Sequence, residues 1–356
     1  MNITVLTHVD PADGRDAVVD QVTATLGARH DVDVLEVFDD LPAVVGALRQ
    51  QRPDLVFNLS EMFADNVQGD ALVAAVLELL RQPFTGSGAA ELFLVQDKGL
   101  AKKVLAFDGI LYPNFAIFTA DADLETGGNL HMPLFVKPLR GDASIGISGS
   151  DALVRDSRTL MERVVQIHDE HKDAALAEEY IEGRELYVGV LGNREPEALP
   201  PVELDLSGLP DHMPPVADQK VKFDEELGKK YDIVARVAEL PDELRARLQK
   251  VAVQAYRALR VRDYGRVDLR LTEAGEIYVL EVNANCYLEE KQEFAMAAAA
   301  AGYEYPALLE RIVQLAVERQ GVEPRRPRRS PPRGRRRRAP LTAGTSPSAR
   351  GSSPAR

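Results

Sequence analysis

The stretch from Tyr264 to Asn285, YGRVDLRLTEAGEIYVLEVNAN, constrains this chain more than any other segment. Two runs rich in Val, Leu, Ile and Tyr flank the turn signal EAGE, a pattern that predicts two neighbouring strands. Successive side chains of a strand point to opposite faces. Arg266, Asp268 and Arg270 therefore alternate onto one face, and Glu281, Asn283 and Asn285 alternate likewise on the next strand. Behind them stand Val267, Leu269, Val279, Leu280 and Val282. Carboxylate and amide oxygens without His or Cys suit Mg2+, or Mn2+, held by one or two carboxylates together with substrate phosphates. The same alternation also describes an ordinary sheet with a solvated outer face.

The chain ahead of this pair divides in two. Within the first hundred residues NITVLTH, DVDVLEVF and PDLVFNLSE read as strands and DAVVDQVTATLG as a helix, an alternation that implies an open parallel sheet. Ligands usually sit at the carboxyl ends of such strands, which is where Asn58, Ser60 and Glu61 fall; they serve equally well as caps of the following loop and helix.

A second unit begins near QDKGLAKKVLAFDGI, whose spacing puts Lys98 and Lys102 on one helical face. PLFVKPLRGDASIGISGS reads as a hairpin: a strand ending in Lys137, a loop of Gly and small residues, and an outgoing strand. Such a loop lets backbone N–H groups wrap phosphates, but GxxxxGK[ST] and GxGxxG are both absent. ALAEEYIEGRELYVGVLG supplies two strands with carboxylates at Glu178, Glu179, Glu182 and Glu185, most of which a solvated edge strand would also explain. Residues 206–240 are rich in Pro, Asp and Lys without periodicity and suggest a lid. PDELRARLQKVAVQAYRAL and YPALLERIVQLAVERQ read as helices.

Composition narrows the setting. The formal charge of −13 hides an asymmetry: the last residues, from Gly321 on, carry eleven Arg and one Glu among Pro, Ser and Gly. That segment has almost nothing apolar to bury and is expected to be disordered, as a solvated extension or as a contact for a polyanion. One cysteine, Cys286, excludes an internal disulfide framework. The sequence holds no membrane-length apolar run and no signal-like start, so a cytoplasmic protein is expected.

Activating a carboxylate with ATP needs a phosphate cradle, cations on the transferred phosphoryl group, acids for Mg2+ and exclusion of water. Lys98 and Lys137, the 140–146 loop, Asp268, Glu281 and Asn283, and the 206–240 segment are candidates for these tasks, and no Ser/His/Asp or Cys/His arrangement competes. DK at 97–98, FVKP and GDASIGI within 135–147, EEYIEGREL at 178–186, YGRVDLRL at 264–271 and YVLEVNAN at 278–285 together resemble the D-alanine:D-alanine ligase family of the ATP-grasp superfamily.

The resemblance implies an α/β fold with an open parallel sheet over 1–96, a small ATP-grasp subdomain over 97–187, a C-terminal subdomain with the metal and acceptor site over 188–320, and the basic tail over 321–356. It implies that Lys98 and Lys137 contact ATP phosphates under the loop carrying Ser144 and Gly146, and that Lys222 reaches the γ-phosphate. Glu178 would meet the adenine amino group, Glu179 and Ile181 would line the nucleotide, and Glu185 would bind the ribose. Asp268, Glu281 and Asn283 would hold two Mg2+ ions, with Arg266 on the transferred phosphoryl group and the tetrahedral intermediate. The implied reaction joins small amino-acid or hydroxy-acid substrates through an acyl phosphate, in an enzyme that is often a homodimer. A larger or peptide acceptor, and a regulatory nucleotide-binding module, are the alternatives.

Substrate recognition departs from the family pattern. No Ser-x-Glu-like element follows the first strand, NLSE replaces the His-Gly element with Glu61 as an acidic substitute, and Ala143 and Phe223 replace an expected Ser and Tyr. After Asn283 the expected Pro-Gly and hydroxylated residues give way to CYLEEKQ, placing Tyr287 and Lys291 at the acceptor position. These changes predict a conserved activation step with an acceptor changed from D-alanine, and they leave the donor open.

Overall fold

The computed structural model describes residues 1–9, 14–64, 66, 68–121, 124–126, 129–140, 152–210 and 225–322. These belong to one compact unit, Met1–Pro324. Ser144, Gly146, Lys222, Phe223 and the basic tail lie outside the described residues.

The amino-terminal layer runs β1 (Asn2–His8), α1 (Ala17–Gly27), β2 (Asp31–Val37), α2 (Leu41–Gln51) and β3 (Leu55–Leu59). Asp16 starts α1 by accepting from the Val18 N–H at 2.9 Å, and Asp40 starts α2 in the same way through Ala43. The strands pair in parallel in the order β2-β1-β3, with Val5 opposite both Val34 and Phe57. Phe84 adds a parallel bridge to Val56, between α3 (Gly69–Leu79) and α4 (Ala89–Gln96).

A second layer follows α5 (Lys98–Phe107) and comprises β4 (Phe115–Phe118), β5 (Leu124–Thr126), β6 (Leu134–Pro138), β7 (Leu153–Val154), α6 (Ser157–His171) and β8 (Ala175–Glu179). Its sheet is antiparallel in the order β5-β4-β8-β6-β7. β8 is thus an interior strand with Glu178 buried, which excludes a solvated edge for that carboxylate.

The third layer holds β9 (Arg184–Leu191), β10 (Glu197–Ala198), β11 (Val202–Asp205), α7 (Glu225–Tyr231), β12 (Val234–Val237), α8 (Asp242–Ala258), β13 (Tyr264–Leu271) and β14 (Ile277–Ala284). Strand order is β12-β11-β9-β13-β14, with β10 beside β9. Two expectations change here. β8 and β9 enter different sheets, because the four residues Tyr180 to Gly183, the last at φ +153°, carry the chain across rather than back. Residues 225–237 of the expected lid form α7 and the edge strand β12, where Val202 to Asp205 offer a free pairing side that outweighs the weak local pattern.

α8 covers one face of this sheet: Leu248, Ala252, Ala255 and Tyr256 recur at helical spacing and pack into a core with Val188, Val267, Leu269 and Val279. Truncating Leu248 to Ala would cost about 2–5 kcal/mol. α9 (Glu293–Ala300) and α10 (Tyr305–Gln320) complete the chain, with Phe294, Leu308, Leu309 and Ile312 in one core with Val18, Val22 and Phe57 of the first layer.

Candidate active site

Asp97 accepts from the Leu100 N–H at 2.9 Å, which caps α5 and puts Lys98 in its first turn; Lys102 follows one turn later. Both lysines are buried, as is Lys137 at the end of β6. Lys102 Nζ lies 2.7 Å from Glu178 Oε1, and Lys137 Nζ lies 2.7 Å from Glu178 Oε2. Burial disfavours charge on all three groups. For Glu178 the attraction of Lys102 and Lys137 prevails over that cost and holds its carboxyl below the ordinary 4.5. Lys137 is likewise raised from 10.5 by Glu178 and Glu281 against the cost of burial, whereas Lys102 is lowered, first by burial and then by the neighbouring Lys137 charge.

The same lysines reach the other sheet. Lys102 Nζ donates to Leu280 O at 2.8 Å, and Lys98 Nζ lies 3.3 Å from Glu281 Oε1. The register there is irregular: Asp268 opposes Glu281, but Leu269 opposes Val279, so Leu280 is the extra residue of a bulge. Two consecutive apolar residues, Val279 and Leu280, were its signature in the sequence.

Beyond the bulge Arg266 opposes Asn283. Arg266 donates Nε and Nη2 to Asp268 at 2.7 and 3.0 Å and Nη1 to Glu293 at 3.4 Å, while its Cζ stands 4.8 Å from the centroid of the Tyr187 ring. These carboxylates outweigh burial and lift its guanidinium well above its usual value. Among the described residues no group of three His, Cys, Asp or Glu is placed to hold a metal. The strands offer instead two carboxylates, Asp268 and Glu281, and the amide of Asn283, whose buried Nδ2 has no hydrogen-bond partner. Turning that amide exchanges Nδ2 for Oδ1 and adds a third hard oxygen. That donor set fits Mg2+ completed by phosphate oxygens.

The remaining candidates have their own partners. Glu185 accepts from Tyr187 Oη at 2.8 Å and from Arg270 Nη2 at 2.7 Å, so a guanidinium on the next strand fixes it. Glu179 accepts from Asn114 Nδ2 at 3.0 Å and pairs with His131 at 2.6 Å; Ile181 is half-buried after β8. Tyr287 Oη donates to both carboxylate oxygens of Asp16, at 2.8 and 3.0 Å. Burial and that bond push its phenol up. Glu61 is exposed, and its charge adds to the same rise. Lys291 is exposed, and its N–H donates to Glu289 at 3.1 Å. Asn285 leaves the Glu281–Asn283 face: at φ 57° it turns to accept the Ser87 N–H at 2.7 Å. Lys102, Tyr187, Arg270 and Glu293 were not singled out as site residues; only Lys102 and Arg270 carried a signal, in their spacing from Lys98 and Asp268.

The cation and carboxylate cluster thus sits between the second and third layers. The structure superposes on the D-alanine–D-alanine ligase of Bacillus anthracis complexed with ATP with a TM-score of 0.70 at 21% identity, covering 90% of this chain and 99% of that one. In sequence, the family model for the D-ala D-ala ligase C-terminus matches residues 94–314. The D-alanine–D-alanine ligase of Desulforudis audaxviator is 35% identical over 253 residues, 70% of this chain and 78% of that protein. An uncharacterized protein of Sinorhizobium fredii is 34% identical over 268 residues, 74% of this chain and 75% of its own. The chain belongs to the D-alanine–D-alanine ligase family, enzymes that form carbon–nitrogen bonds at the expense of ATP. No helix among the described residues is long and apolar enough to cross a membrane.

Proposed function

We propose that the chain activates a small carboxylate as an acyl phosphate and transfers the acyl group to an amine, or to a hydroxyl, of a second small substrate, with a substrate pair changed from D-alanine. The observation that carries this reading is the convergence of Lys98, Lys102 and Lys137 from two elements on Glu178 and Glu281, beside Asp268, Asn283 and Arg266. Cations of this density next to hard oxygen donors suit a triphosphate and its metal.

In this reading Lys98 and Lys137 neutralise phosphate oxygens, and Arg266 holds the charge that develops as the γ-phosphoryl group moves. Asp268, Glu281 and Asn283 would hold two Mg2+ ions, which would supply further neutralisation. A carboxylate oxygen of the donor forms the new P–O bond as the bond to ADP breaks. The amine then bonds to the acyl carbon, phosphate leaves with the former carboxylate oxygen, and the amine gives up a proton. The division at 96/97 and 187/188 belongs to the same proposal, as do the roles of Lys222, Ser144 and Gly146 toward ATP. The departures at Ala143, Phe223 and 286–292 support a changed pair.

The test is isotopic. With a donor carboxylate labelled with oxygen-18, the released phosphate carries one labelled oxygen; unlabelled phosphate would mean hydrolysis by water and would overturn the acyl-phosphate step.

A further inference from the structure

Two carboxylates bracket the guanidinium of Arg266. One edge, Nε with Nη2, is taken by both oxygens of Asp268; Nη1 on the other edge faces Glu293; the ring of Tyr187 lies against the group. The side chains of Arg266 and Glu293 are 14% and 15% exposed. Glu293 comes from a different element than Asp268, the first turn of α9.

We infer that Glu293 is a specificity-determining residue that excludes acceptors bearing a free carboxylate next to the reacting amine, so that the acceptor class is an amine with that carboxylate absent or masked, such as an amino-acid amide or a peptide-like amine. The inference rests on the ligase reading, which brings the acceptor amine to the acyl carbon beside Arg266. In an α-amino acid the carboxyl carbon is two bonds from that nitrogen, so the carboxylate must enter the same neighbourhood. There it meets a like charge, Glu293, held 3.4 Å from Arg266 Nη1. Juxtaposing like charges in a site of low exposure is a strong device for rejecting the wrong partner. A masked carboxylate brings no charge, and its amide N–H can donate to Glu293.

The connecting segment carries a single cation, Lys291. Tyr287 is spent on Asp16, the Gln21 amide donates to Glu289 at 3.2 Å while its oxygen accepts from the Glu290 N–H at 3.1 Å, and Lys291 is exposed.

A competition experiment on the full chain tests this. D-alanine, L-alanine, D-lactate and L-lactate are each supplied as donor with ATP and Mg2+, against an equimolar mixture of alanine and alaninamide of both configurations, and products are read by mass spectrometry. The expected result is at least about a tenfold excess of amide-capped over free-acid product, falling by roughly tenfold in Glu293→Gln, which keeps the shape of the side chain and removes its charge. The wild-type ratio needs no variant and therefore no assumption about folding. Ligation with a preference for free alanine, or a ratio unmoved in Glu293→Gln, overturns this inference and leaves the ligase reading standing. Absence of ligated product from every donor overturns both.

Discussion

Replacing Glu178 by Gln preserves its shape and removes one charge, and the structure sets the size of the response. Glu178 closes two ion pairs of 2.7 Å with side chains that are 5% exposed for Glu178, 2% for Lys102 and 9% for Lys137. Without the carboxylate two ammonium groups are left close together and buried, and removing one partner from a buried pair costs about 3–5 kcal/mol. The expected loss at pH 7 is of that order. Its pH dependence has a definite sign. The folded carboxyl titrates below its ordinary 4.5, so its contribution is full above that value and fades as pH falls through the folded value. The gap between wild type and Glu178→Gln should therefore narrow in acid. Urea unfolding followed by circular dichroism at pH 7 and near pH 4 measures both. Adding Lys102→Met should recover part of the loss, because the second buried cation is then gone. A loss below about 1 kcal/mol, or a gap constant across pH, would refute the reasoning from a buried triad.

Other positions give sharper local tests. Arg266→Lys keeps the charge but loses the two-pronged contact with Asp268 and the stack on Tyr187; phosphate release should fall by roughly 10²–10³-fold with the circular dichroism spectrum unchanged. Gly86 has φ +86°, and a Cβ there would lie 2.2 Å from Asn285 Oδ1, so Gly86→Ala should destabilise by about 1–3 kcal/mol in urea and displace the end of β14. Lys98→Ala and Lys137→Ala should each weaken nucleotide binding in calorimetry.

The alternation of Arg266, Asp268, Glu281 and Asn283 was legible because period two is the direct signature of a strand, and the structure brings them together with Lys98. Lys102 was visible only as the residue one turn after Lys98; that Glu178 would sit between it and Lys137 depends on β8 lying between β4 and β6, which local pattern does not encode. Asn285 continued the alternation in sequence but not in space, since a left-handed turn and the Ser87 N–H draw it away. α7 and β12 were hidden for the opposite reason: Val234 to Val237 are stabilised by pairing with β11 rather than by their own periodicity. Glu293 gave no signal at all, because its meaning comes from a helix that starts beside a strand distant in sequence.

The most direct measurement is Mg2+-dependent phosphate release from ATP across D- and L-amino acids, their amides and hydroxy acids, singly and in pairs, with mass spectrometry of the products. The account predicts release that depends on a pair other than two D-alanines, with a product equal to the two substrates less one water. Release with D-alanine alone would contradict the changed substrate pair, and nucleotide binding without release in any combination would contradict the ligase chemistry itself.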